Sequence, residues 1–115
     1  MDITRLGTGS RMSMTTIHNG TVYLAGQVAD DAGASVSRQT QQVLEKISSL
    51  LDAVGSGKSK ILSATIWLTD VKNFDEMNAV WDAWVDPKHL PVRACVGSAL
   101  AAPGLDVEIM VIAAQ

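Results

Sequence analysis

Cysteine is nearly absent from this chain of 115 residues, and the single one, Cys95, excludes an internal disulfide framework and any Cys-cluster zinc site. The two histidines, His18 and His89, stand far apart with no partner at ligand spacing, which argues against a His-based metal centre. Basic charge is also scarce. Nine Lys and Arg against twelve Asp and Glu leave a net charge of −3, with the cations scattered, whereas a nucleic-acid surface calls for a basic stripe. No apolar run approaches the roughly 20 residues of a membrane span. The opening Met1-Asp2-Ile3-Thr4-Arg5 lacks the basic start and apolar stretch of a secretory signal, so a cytoplasmic protein is expected. Linkers, repeats and low-complexity segments are missing, and the expectation is one domain over residues 1–115 with a modest core.

What is present is alternation, then helical periodicity interleaved with further strands. Met14 to His18 and Thr21 to Ala25 read as a hairpin turned at Asn19-Gly20, a dipeptide that tolerates the positive φ of a type I′ turn. Val43, Leu44, Ile47, Leu50, Leu51 and Val54 recur at helical spacing, predicting a helix from Ser35 to Val54 that Gly55 stops in a left-handed cap. A strand over Lys60 to Leu68 sets Leu62, Ala64, Ile66 and Leu68 on one face and Ser63, Thr65 and Trp67 on the other. Asn73 and Glu76 have the spacing of a capping box for a second helix carrying Phe74, Met77, Val80, Trp81 and Trp84, closed by Asp86-Pro87. Strands Val92 to Ser98 and Leu105 to Ala113 complete the order β-β-α-β-α-β-β. That order describes an α+β domain, a mixed β-sheet with two helices on one face.

The helices cover one face of this sheet. The other carries Thr65, Trp67, Val96 and Ile112, apolar enough to want cover that the chain does not supply, so self-association with cyclic symmetry and pockets between subunits is expected. Gly55-Ser56-Gly57-Lys58-Ser59 imitates the end of a phosphate-binding loop, but Asp52 stands where that motif needs its first glycine. The segment also leaves a helix and enters a strand, the reverse of the phosphate-loop order. It reads as a helix cap and turn.

Chemistry concentrates at the end of the chain. Pro91-Val92-Arg93-Ala94-Cys95-Val96, followed by Leu105-Asp106-Val107-Glu108-Ile109, places an arginine and a carboxylate on successive β-type runs. The planar guanidinium matches a carboxylate with two parallel hydrogen bonds, and Glu108 sits in an apolar run where burial would suit it to acid or base duty. A structural Arg–Glu pair stitching two strands explains the same residues. If the two runs pair antiparallel, half of the registers put Arg93 and Glu108 on one face.

Leu24-Ala25-Gly26-Gln27-Val28, the strand Ala64-Thr65-Ile66-Trp67-Leu68-Thr69-Asp70, the helix Phe74 to Trp84 with Met77-Asn78, and Pro91 to Val96 through Val107-Glu108-Ile109 together resemble the Rid family of enamine/imine deaminases. The likeness spans Thr16 to Ala113. The resemblance implies a chorismate-mutase-like fold assembled as a homotrimer with interfacial clefts. It implies hydrolysis of reactive 2-imino or 2-enamino acids to 2-keto acids and ammonia, with no cofactor and no metal. Arg93 then matches the residue that binds the substrate carboxylate and Glu108 the acid that activates water. Cys95 matches a position whose main chain touches substrate or water, and Asn78 and Gly26 match positions near the cleft. A protonated imine carbon is already electrophilic, so a nucleophilic cysteine is unnecessary.

Two departures bear on substrate choice. Met12 falls where many members carry an aromatic cleft wall, and Ala25 falls where others carry serine. Beside the deaminase stands an alternative, a non-catalytic trimer that binds small carboxylates or 2-keto acids as a sensor. It needs Arg93 but not Glu108.

Overall fold

The first hairpin of the computed structural model, which describes residues 2–115, joins β2 (Thr15–His18) to β3 (Thr21–Leu24). Asn19 and Gly20 have φ of 53° and 74°, the double positive φ that a type I′ turn demands. Two short strands that the alternation was too brief to announce flank it: β1 (Thr4–Leu6) pairs with β2, and β4 (Gln27–Val28) pairs with the last strand.

The helix α1 (Val36–Asp52) begins on Ser35, whose side chain accepts from Arg38 N at 3.1 Å. It ends in a Schellman arrangement: Gly55, at φ 75°, donates to Asp52 O at 3.2 Å and Ser56 to Leu51 O at 3.0 Å. The Gly-Ser-Gly-Lys-Ser segment is thus a helix stop. After a single 3-10 turn comes β5 (Ile61–Leu68), then a second such turn leading into α2 (Phe74–Trp84). The expected capping box is not formed. Asn73 closes the preceding turn with φ −85° and ψ 8°, and its side chain caps nothing. Glu76 instead reaches across to α1, accepting from Ser37 N at 2.8 Å and Ser37 Oγ at 3.2 Å.

Strands β6 (Val92–Gly97) and β7 (Val107–Ala114) finish a mixed, seven-stranded sheet with the order β1-β2-β3-β7-β5-β6. The final two strands are not partners. β6 returns through α2 to lie parallel to β5, while β7 pairs antiparallel with β5 on its other side. A helical crossover is the ordinary route to a parallel neighbour, and β7 takes the opposite side of β5, which leaves β6 at the end of the sheet order.

Both helices pack on one face of the sheet. Val43, Leu44, Ile47 and Leu51 of α1 and Met77 and Trp81 of α2 are buried against Val22, Ala64, Ile66, Leu68, Val107, Ile109, Val111 and Ala113. Each large apolar side chain buried this way contributes about 1.5–3 kcal/mol. The strict alternation along β7 assigns Glu108, Met110 and Ile112 to the uncovered face. One predicted facing is wrong. Leu62 is 50% exposed because a bulge between Ile61 and Ser63 shifts the register, and Ile61 takes the buried place. The loop before β7 is tied to α1 by fully buried Gln39, which donates to Gly104 O at 2.9 Å and accepts from Asp106 N at 2.8 Å. No helix among the described residues is long and apolar enough to cross a membrane.

Candidate functional site

Register decides where the candidate residues point. Arg93 lies opposite Ala64, a buried residue of the helix-side face, whereas Glu108 lies opposite Trp67 on the other face. One intervening strand and three positions along it separate the two, on the order of 14 Å between main chains by ordinary strand geometry. Within one chain they occupy opposite faces of the sheet, so the structural Arg–Glu strand pair does not exist. Neither does an intrachain cleft holding both.

Two separate clusters result. In the first, the Arg93 guanidinium donates from Nη1 to Asn78 Oδ1 at 2.7 Å and lies 5.4 Å from the Trp81 ring centroid and 5.8 Å from that of Phe74. Asn78, Trp81, Asp82, Val85, Leu90, Pro91 and Arg93 line a recess of about 300 Å³ between α2 and β6. Cys95, two residues beyond Arg93, faces the same side and packs against the core. Burial pushes its thiol pKa up, opposed in part by the Arg93 charge, which keeps the sulfur protonated and a poor nucleophile at neutral pH. Nearby, Asp86 accepts from Lys88 N and from His89 Nδ1, both at 2.9 Å, and these bonds hold its carboxyl below the usual range.

The second cluster is built on Glu108. With Trp67 and the Ser98–Ala101 segment it borders a recess of about 180 Å³. Its carboxylate rests against Gly26. A Cβ placed on Gly26 would overlap Glu108 Oε2 and stand 3.1 Å from Cδ, so only glycine leaves room for the acid in this rotamer. Met12 belongs to neither cluster. It is 54% exposed on the loop joining β1 to β2 and lines neither recess. Ala25 stands beside Gly26 and its N–H donates to Met14 O at 2.9 Å.

Arg93, Asn78 and Cys95 are therefore gathered on one side, and Glu108 and Gly26 on the other. Trp81 was expected only as part of an amphipathic helix and Asp82 was not singled out, although they follow Asn78 by three and four residues and so share its stripe. A larger cavity of about 590 Å³ lies beside α1, but its Lys46 is committed to Asp30 Oδ1 and Val28 O, each at 2.7 Å.

The family model described as Endoribonuclease L-PSP matches residues 3–115. The chain belongs to this family, the YjgF/Rid family. The RutC family protein YoaB of Escherichia coli K12 is 43% identical over 114 residues, covering 99% of each chain. The crystal structure of NMB1025, a YjgF family member from Neisseria meningitidis, superposes with a TM-score of 0.96 at 41% identity over 100% of this chain and 96% of its own. YyfA of Yersinia pestis, from the conserved Rid protein family, gives 0.87 at 29% identity over 94% and 90%. Membership of this family supports a deaminase or small-molecule-binding role.

Proposed function

We propose that this protein is an enamine/imine deaminase, active in the cytoplasm, that hydrolyses 2-imino and 2-enamino acids such as 2-aminoacrylate and 2-iminobutanoate to 2-keto acids and ammonia. Each active site is assembled between two copies of a homotrimer. The observation that carries this reading is the division of the site: an arginine fork on one side of the sheet and a carboxylate on the other. Only a second copy can bring the two together.

In that assembly Arg93 binds the substrate carboxylate with the donors left free by Asn78, and Glu108 of a second copy holds a water against C2 of the protonated imine. Glu108 takes a proton as the oxygen–carbon bond forms and the C=N electron pair moves to nitrogen. It then returns the proton to the amino group. Collapse of the resulting tetrahedral carbinolamine, with its hydroxyl proton passing to Glu108 and from there to the departing ammonia, leaves the 2-keto acid and ammonium. Substrate, water and products balance without an external electron acceptor, and an enamine enters after protonation at C3. The neutral thiol of Cys95 fits a packing role, with the main chain of β6 nearest the substrate. Gly26 serves by admitting Glu108, and exposed Met12 offers no aromatic wall.

A second reading, binding of small carboxylates without turnover, is favoured by one observation. The Arg93–Asn78 recess is complete in a single chain and does not use Glu108. An assay in which a dehydratase acting on threonine or serine supplies the imine in situ separates the two. The unmodified protein is expected to speed keto-acid release. Arg93→Ala should abolish the gain and Arg93→Lys should restore little of it, since an ammonium lacks the two-point fork. Glu108→Gln should leave 2-oxobutanoate affinity nearly intact while cutting turnover on the order of a hundredfold. No acceleration with several imino acids, together with retained keto-acid binding, would establish the binding role instead.

A further inference from the structure

Arg93 projects from β6, the last strand in the sheet order, and is itself exposed. A long side chain in that situation ordinarily samples many rotamers, and a carboxylate arriving from solvent must first order it. Here three residues of α2 already do so. Phe74, Asn78 and Trp81 stand at positions i, i+4 and i+7 of one helical stripe and present two aromatic rings and one amide oxygen to a single guanidinium. The plate beneath is stiff. Trp81 is 5% exposed, its ring lies 5.6 Å from that of Trp84, and Trp84 Nε1 donates to Ser48 Oγ of α1 at 3.1 Å.

Charge makes the arrangement more pointed. The ion pairs among the described residues join Arg38 to Asp31, Lys46 to Asp30 and His89 to Asp86, and none engages Arg93. Asp82 lines the same recess without reaching pairing distance. Aromatic faces attract a cation through their quadrupole but bring no negative charge, so they fix a guanidinium and leave its full charge for a ligand. A carboxylate in their place would compete with the substrate for the same fork.

We infer that Phe74 and Trp81 are positioning residues, an aromatic bracket that pre-orders Arg93 for two-point capture of a carboxylate. This rests on the reading of Arg93 as the carboxylate binder. Trp81 is a core residue whose loss threatens the fold, so the test falls on Phe74, which is 41% exposed. Titration calorimetry with 2-oxobutanoate, steady-state kinetics with imine made in situ, and melting temperature are measured on Phe74→Leu, Phe74→Tyr and Arg93→Ala. Phe74→Leu is expected to weaken 2-oxobutanoate binding and raise KM roughly three- to tenfold. Its kcat should stay within about twofold, because the carboxylate is held alike in ground and transition states. Its melting temperature should be unchanged, and Phe74→Tyr, which keeps the ring, should restore affinity. The bracket is refuted if Phe74→Leu binds like the parent protein, if kcat falls while KM stands still, or if affinity and melting temperature drop together. Arg93→Ala separates the two levels of the claim. If it binds and turns over normally, the carboxylate reading fails and the bracket with it; if it is dead while Phe74→Leu is normal, only the bracket fails.

Discussion

Gly26 and Gly55 show that two glycines resist replacement for unrelated reasons. At Gly55 the obstacle is the backbone: φ is 75° and a Cβ would meet nothing within 4 Å. At Gly26 φ lies outside the left-handed region, and the obstacle is the Glu108 carboxylate. The two substitutions should therefore have opposite signatures. In Gly26→Ala the clash falls on the far end of a flexible side chain, which can swing aside, so the fold should survive with a melting temperature within a few degrees of the parent. Moving the acid by about 1 Å, however, is enough to cost on the order of a hundredfold in turnover. Keto-acid affinity, which depends on Arg93, should persist. A Gly26→Ala protein that keeps parental turnover would show that the Glu108 position seen here is not the working one. Arg93, Glu108 and Gly26 are nameable from their motif, but the contact that makes Gly26 matter arises from β4 pairing with β7, and a two-residue strand has too few positions to show alternation.

Elements with strong local signals were the legible ones. The Asn-Gly hairpin, the apolar stripe of α1 and its glycine stop all follow from rules that act within a few residues, and they stand where those rules put them. Long-range choices were less visible. Periodicity cannot say which side of β5 a later strand occupies, so the separation of β6 from β7, and with it the splitting of Arg93 from Glu108, lay beyond the pattern. The Asn73–Glu76 spacing misled for a similar reason, since a tertiary bond to Ser37 drew Glu76 away from the local cap. The helix stop invites a direct test. Gly55→Ala places a Cβ in the left-handed region at a cost of about 1–2 kcal/mol, which should lower the melting temperature by roughly 5 °C or more for a domain of this size. Turnover per folded molecule should not change. Gly55→Asn should lose less, because asparagine tolerates that conformation. Equal losses in both variants would mean that something other than backbone conformation is at stake.

At the scale of the whole molecule, the face that carries Glu108 also exposes Tyr23 at 43%, Met110 at 37% and Val96 at 44%, with Trp67 and Ile112 half-buried among them. Such a face favours association, and the proposed site would give association a catalytic meaning, with each copy supplying Arg93 to one cleft and Glu108 to another. Subunit mixing measures this directly. Arg93→Ala and Glu108→Gln should each be inactive alone. When equal amounts are unfolded together and reassembled, a cleft works only where a Glu108→Gln subunit contributes its arginine to a neighbour that contributes an intact glutamate. In a closed ring with random assembly that holds at about one cleft in four, so the mixture should regain roughly a quarter of the parental turnover while the separately refolded parents stay silent. Light scattering on the same samples should report a trimer. If the working pair instead came from one chain, every cleft in the mixture would lack one partner and no activity would return. A silent mixture of demonstrably mixed trimers would therefore remove the shared site, whatever the assembly state.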